Sequence, residues 1–156
     1  MTATHLMEKS LQFCCQRENI TRDKVIRGMQ SGCCYSHSNF RYAVAKNLCR
    51  ILANENDINA IYLHGSTVKD KARVSSDIDL VLHVRRKEKE LSSRLEQLNF
   101  ELLSYYKELL DGYASSATIL LDVQLVDDYE VRQRTGYGVL ISSLFNRPLK
   151  LWSNAG

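Results

Sequence analysis

Apolar positions recur along this chain with two periods, one helical and one alternating, and each predicts its own elements. Leu6, Met7, Leu11, Phe13 and Cys14 fall on one face of a helix over residues 4–18, with Thr4 as its cap. Thr21 caps a second helix running to about Gln30, with Val25, Ile26 and Met29 turned inward. Ser31–Ser38, SGCCYSHS, reads as a loop because glycine and serine break the pattern, and its His37 reads as solvated rather than as a ligand or base. Phe40, Ala43, Val44, Asn47, Leu48, Ile51 and Leu52 then mark an amphipathic helix over Asn39–Glu55 that should lie against a sheet. Asn54–Asp57 ends it, and Ala60–His64 reads as a short buried strand.

The second half repeats this alternation of types. The charge run Arg85–Glu90, RRKEKE, is read as a solvated loop and helix start rather than a nucleic-acid contact. Leu91, Leu95, Leu98, Leu102, Tyr105, Tyr106, Leu109 and Leu110 predict a long crossover helix that stops near Asp111-Gly112. A strand over Ala117–Val126 follows. Asp128–Gly138 carries Arg132 and Arg134, read as surface charges on a helix rather than phosphate contacts, and Val139, Leu140, Leu144 and Phe145 continue a helical face up to Arg147-Pro148. Pro148–Trp152 is expected to add an edge strand, since proline is tolerated at a strand's first position.

Two of the predicted strands carry acids where an aliphatic run would otherwise be unbroken. In Tyr62–Val84, YLHGSTVKDKARVSSDIDLVLHV, the residues Ile78, Leu80 and Leu82 share one strand face, while Asp77, Asp79, Val81 and His83 share the other. Asp77 and Asp79 therefore sit roughly 6 to 7 Å apart along the backbone, where like charges repel unless a cation neutralises both. An oxygen-liking divalent metal, Mg²⁺ or Mn²⁺, is the natural completion. In Thr118–Val126, the residues Ile119, Leu121, Val123 and Leu125 form an aliphatic face and Asp122 points away from it, beside Gln124. Pairing the strands core face to core face puts Asp122 with Asp77 and Asp79, and three such carboxylates suffice for two metals about 3.5 to 4 Å apart.

Between the strands lies a Gly65-Ser66 step. Gly65 lets the backbone approach closely, Ser66 is expected to cap a turn of helix with free N–H groups aimed at an anion, and Lys69, Lys71 and Arg73 add positive charge. His64, at the end of the preceding strand, reads as a hydrogen-bonded structural residue rather than a catalytic one.

The order strand, Gly-Ser, ten intervening residues, Asp-x-Asp in a strand, then a single Asp in a later strand resembles the nucleotidyltransferases of the DNA polymerase β type, above all the minimal nucleotidyltransferase domains with the motif GSxARGxARxxSDIDL. Ser66, Ala72, Arg73, Ser76, Asp77, Ile78, Asp79 and Leu80 match it, Lys69 stands for the first arginine, and Asp70 replaces the glycine. The resemblance covers about residues 42 to 152. It implies an α+β fold: a mixed, palm-like β-sheet with helices packed on one face, in a domain of residues 39–156 preceded by a helical extension, 1–38. That extension is expected to pack on the core; binding the acceptor or a subunit contact are its other readings.

The implied reaction transfers a nucleoside monophosphate, AMP from ATP first, to a hydroxyl of a small molecule or protein, with release of pyrophosphate. Asp77, Asp79 and Asp122 would be the metal ligands and catalytic residues, and Gly65, Ser66, Lys69, Arg73 and Ser76 would bind the nucleotide. Relatives of this kind adenylylate aminoglycosides, lincosamides or a partner toxin, so a homodimer or a toxin partner is admitted. Little follows Trp152, whereas antibiotic-modifying relatives tend to carry a further domain, and no RNA-binding module is visible. A non-catalytic nucleotide- or partner-binding module, antitoxin-like, is the alternative; Asp70 supports it, and the full carboxylate set opposes it.

Composition adds limits rather than detail. One domain is expected of 156 residues, and 44% hydrophobic with 25% charged residues is ordinary for a globular chain. A net charge of +3 is smaller and less clustered than a nucleic-acid footprint. No stretch approaches the ~18 apolar residues of a membrane span, and MTATHLMEKS has no basic segment followed by an apolar one, so a cytoplasmic location is expected. The five cysteines lack metal-ligand spacing and are read as reduced thiols.

Overall fold

A computed structural model describes residues 2–55 and 57–154, so Asn56, within the predicted turn into the first strand, lies outside the described residues. The elements run α1 (Ala3–Glu18), α2 (Arg22–Gln30), α3 (Cys34–Leu52), β1 (Ile58–His64), β2 (Ile78–Val84), α4 (Lys89–Leu109), β3 (Leu121–Val126), α5 (Asp128–Gln133), α6 (Gly138–Ile141) and β4 (Leu149–Ser153). Among the described residues no helix is long and apolar enough to cross a membrane.

The four strands form one mixed sheet in the order β3-β2-β1-β4. β1 is antiparallel to β2 and to β4, and β2 is parallel to β3 through the crossover helix α4. Ile61 and Leu63 of β1, Ile78, Leu80 and Leu82 of β2 and Leu121 of β3 join a single buried cluster with α1 to α4. Leu6, Met7 and Leu11 of α1 are fully buried in it, each contributing about 1.5 to 3 kcal/mol. The long helices thus lie on one sheet face. On the opposite face a small cluster of Ala60, Tyr62, Val81 and Val126 is covered by Val131, Leu140 and Ile141, from α5 and α6. His83 Nε2, 2.6 Å from Asp128 Oδ1, fastens α5 to β2.

Several boundaries differ from expectation for local reasons. Thr2, not Thr4, caps α1, its hydroxyl accepting from the His5 N–H at 3.2 Å. The loop expected over Ser31–Ser38 ends at Cys33, and α3 begins five residues early. Its first turns bury His37 and Ser38, so tertiary packing overrides the weak local signal of serine and glycine. The predicted helical face through Phe145 stops at Ile141, leaving Leu144 79% and Phe145 93% exposed. Ser143 Oγ there accepts from the Asn146 N–H at 3.1 Å, a local turn that competes with helix. β3 begins at Leu121 rather than Ala117, because Asn99 Oδ1 of α4 takes the amides of Leu120 and Leu121 at 3.0 and 2.8 Å.

Candidate active site

The strand register assembles the acids. Asp79 pairs with Asp122 across the parallel β2–β3 ladder and with His64 across the antiparallel β1–β2 ladder, so the three form one row on the face away from the main core. Asp77 lies just before β2, two residues from Asp79, and shares its face. One ligand oxygen from each of Asp77, Asp79 and Asp122 lies within 4.8 Å of the other two, and all three residues are half-buried. No lysine, arginine or histidine forms an ion pair with them among the described residues. Gln124 donates from Nε2 to Asp122 Oδ1 at 3.0 Å.

Uncompensated charge in a half-buried cluster has a visible cost. Burial, then the charge and hydrogen bond of Asp77, then the charge of Asp122 push the Asp79 carboxyl up to about 7 from its ordinary 3.8. The native chain therefore keeps a proton that the unfolded chain loses above about 3.8, and stability falls as pH rises through about 7. Melting of the metal-free protein should show this between about pH 4 and 7 as a loss of about 1 to 2 kcal/mol, discounted for the solvent that reaches the group. Asp79→Asn should flatten that dependence, and Mg²⁺ should remove it in the parent protein.

His64 is half-buried and its pKa is lowered, chiefly by burial and only partly offset by Asp122 and Asp77. Its ring stands 6.5 Å from that of Tyr137, centroid to centroid. His83 sits further along the same face but is engaged with Asp128, outside the carboxylate cluster.

Gly65 is fixed by two constraints at once. Its φ of +82° is left-handed, and a Cβ there would overlap Asp79 Oδ2 and lie 3.2 Å from Asp79 Cγ. Gly65→Ala is expected to cost about 1 to 2 kcal/mol in backbone strain and to displace Asp79. Mn²⁺ titration should read the displacement as an affinity loss of about tenfold or more.

The chain after Gly65 is a series of turns rather than the predicted turn of helix. The Ser66 carbonyl, not its hydroxyl, closes them, accepting from the N–H groups of Lys69 at 3.2 Å and Lys71 at 2.9 Å. The N–H groups of Ser66, Thr67 and Val68 have no partner among the described residues. Asp70 adopts φ +55°, a left-handed conformation for which glycine is the usual residue and aspartate a tolerated one. That accounts for its exchange with the motif's glycine.

Lys69 and Arg73 are exposed. Arg73 lines a separate groove of about 400 Å³ with Cys34 and Tyr113, away from the groove that Asp122 lines. Ser76 closes its own turn, its hydroxyl accepting from the Arg73 N–H at 2.8 Å.

Sequence reasoning missed what holds this loop. Arg41 of α3, fully buried, donates from Nε to the Ser76 carbonyl at 3.0 Å and from Nη2 to the Val74 carbonyl at 3.2 Å and Tyr106 Oη at 2.8 Å. Tyr106 in turn donates to the Val74 carbonyl at 2.7 Å, and Ser38 Oγ accepts from the Ala72 N–H at 3.0 Å. Asp77 is thus the first residue after a segment clamped from behind. The available signal was position: Arg41 falls between His37 and Val44 on the apolar stripe of α3, where a charge is out of place.

The sequence over residues 46–137, more than half of the chain, matches the family described as Polymerase beta, Nucleotidyltransferase. The chain belongs to that family. No curated protein and no solved structure matches it.

Proposed function

We propose that the chain transfers a nucleoside monophosphate, AMP from ATP in the first instance, to a hydroxyl group, with release of pyrophosphate. The observation that carries this reading is the convergence of Asp77, Asp79 and Asp122 beside the Gly65 turn. The cluster fits a hard divalent cation. Opposite ligands of a Mg²⁺ ion with bonds of about 2.1 Å stand about 4.2 Å apart, close to the 4.8 Å within which these oxygens already lie. The raised carboxyl of Asp79 also marks charge that a cation would neutralise.

Asp77, Asp79 and Asp122 would hold Mg²⁺ or Mn²⁺, which when bound supplies charge neutralisation at the α-phosphate and acidifies the attacking hydroxyl. The free N–H groups of Ser66, Thr67 and Val68 give the triphosphate its resting place, and exposed Lys69 adds charge near it. The acceptor oxygen attacks the α-phosphorus, the bond from that phosphorus to the bridging oxygen breaks, and pyrophosphate leaves in line. Asp122, on the outer strand, would receive the hydroxyl proton and pass it to solvent. His64, neutral and beside Asp79, lines the cluster without adding charge.

ATP labelled at the α-phosphate, incubated with the protein, Mg²⁺ and cell extract, should yield a labelled acceptor. ATP binding with no label transferred would favour the non-catalytic module instead.

A further inference from the structure

The outer edge of β3 is open, and its chemistry specifies what would close it. Leu120 turns its carbonyl toward β2, accepting from the Ile78 N–H at 2.7 Å. In a parallel ladder alternate residues face the same way, so Asp122 and Gln124 also serve β2, while Leu121, Val123 and Leu125 turn their N–H and C=O groups outward. Asn99 takes the Leu121 N–H, whereas those of Val123 and Leu125 have no partner among the described residues. Residues Asp122 to Leu125 are all half-buried, and none is closed off from solvent. Below the edge a groove of about 300 Å³ runs between β3 and α4, walled by the apolar Leu95, Ile119, Val123 and Leu125 and by the polar Ser92, Glu96, Asn99 and Asp122.

The opposite edge of the sheet is defended in the ways that unpaired edges usually are. β4 follows Pro148, carries Lys150 and has a register irregularity against β1. β3, LDVQLV, has neither proline nor lysine and no irregularity in its pairing.

We infer that the free edge of β3 seats the acceptor, an extended polypeptide segment that adds to the sheet as a fifth strand and offers a serine, threonine or tyrosine hydroxyl beside Asp122. This rests on the transferase reading above. Only a backbone in strand conformation matches a row of outward N–H and C=O groups. Its side chains alternate: one set enters the groove against Leu95, Val123 and Leu125, and the other rises on the carboxylate face, about 4.8 Å from Asp122, the spacing of neighbouring strands. Glu96 favours a basic residue in the segment. The hydroxyl oxygen bonds to the α-phosphorus as pyrophosphate departs, and its proton leaves through Asp122 to solvent, which balances the step. A small hydroxyl compound would reach the acids without using this edge.

The probe is a synthetic peptide alternating valine with serine and threonine and flanked by lysines. Titrated into the isotopically labelled protein without Mg²⁺ or nucleotide, it should shift the amide resonances of Val123 and Leu125. Val123→Pro removes an outward N–H while sparing the β2 ladder, and Leu125→Lys puts a charge over the groove; each should weaken peptide binding about tenfold. Should Val123→Pro fail to fold, Leu125→Lys decides. Peptide binding that leaves the β3 amides unmoved, or that both variants retain in full, overturns the inference. Label transferred to a small hydroxyl compound but not to the peptide also overturns it while keeping the transferase reading. A peptide docked at β3 that takes no label from ATP under Mg²⁺, while an acceptor in cell extract does, overturns the edge as the acceptor's seat and keeps the transferase reading; no label in either overturns that reading and the inference with it.

Discussion

Asp122→Asn is expected to lower nucleotidyl transfer about a thousandfold, some 4 kcal/mol of transition-state stabilisation, while ATP affinity changes by no more than a few fold. The expectation follows from position. Asp79 stands in the middle of the row, with His64 on one side, Asp122 on the other and Asp77 two residues before it. Any cation held by the cluster must engage it, so Asp79→Asn should lose metal binding and turnover together. Asp122 comes from the outer strand, on the side away from the Gly65 turn and its free N–H groups. Its carboxylate would meet the nucleophile rather than the triphosphate. The asparagine keeps the shape and loses the charge, so it tests charge alone. Label transfer from ATP and calorimetric ATP titration measure the two quantities separately. Loss of ATP binding in step with turnover would contradict the division of roles between the strands.

The acids were legible in the sequence because alternation is a strict rule: in a strand of otherwise aliphatic residues, one register alone puts Ile78, Leu80, Leu82, Val123 and Leu125 on the core face. That register also fixes where Asp79 and Asp122 must point. Gly65 was legible as a point of close backbone approach, which the Asp79 carboxylate against it bears out, but neither its left-handed conformation nor the turns that replace the expected turn of helix were. What failed was wherever a weak local preference met a strong tertiary one. Ser36 and Ser38 read as loop, yet α3 extends through them because Ser38 serves the Ala72 amide and His37 lies in the core. Leu144 and Phe145 read as the continuation of a helical face, yet the Ser143 turn releases them into solvent. Asp70 was visible as an exchanged residue, but its left-handed backbone was not. The clamp behind Asp77 left one mark in the sequence, Arg41 on the apolar stripe of α3, but its partners Val74, Ser76 and Tyr106 meet it only in the folded chain.

That clamp gives the largest expected effect on stability. Arg41 is fully buried, and no carboxylate pairs with it among the described residues. Its charge is carried by the carbonyls of His37, Val74 and Ser76, the Tyr106 hydroxyl, and the Tyr106 ring 5.2 Å away. Arg41→Met fills the space but leaves the Ser76 carbonyl without a donor, at about 1 to 3 kcal/mol, and takes one donor each from the His37 and Val74 carbonyls, the latter keeping that of Tyr106, at about 1 kcal/mol apiece. Loss of a desolvated cation offsets part of that, so a net destabilisation of about 3 kcal/mol is expected, about a 10 °C fall in melting temperature. His37 supplies a second readout. Burial, then the Arg41 charge, hold its imidazole down at about 4 from an ordinary 6.5, so the unfolded chain takes up a proton in that window and the native chain does not. Stability is therefore lost as pH falls from about 6.5 toward 4. Without the arginine the imidazole protonates more readily, and the gap between parent and variant should narrow in acid. Arg41→Lys keeps the charge but cannot span Val74, Ser76 and Tyr106 at once, so its gap should stay constant with pH. Because the clamp ends at Ser76, both variants should also weaken Mn²⁺ binding at Asp77. Unchanged Mn²⁺ affinity in a folded Arg41→Lys protein would reduce the arginine to a core residue with no part in placing the site.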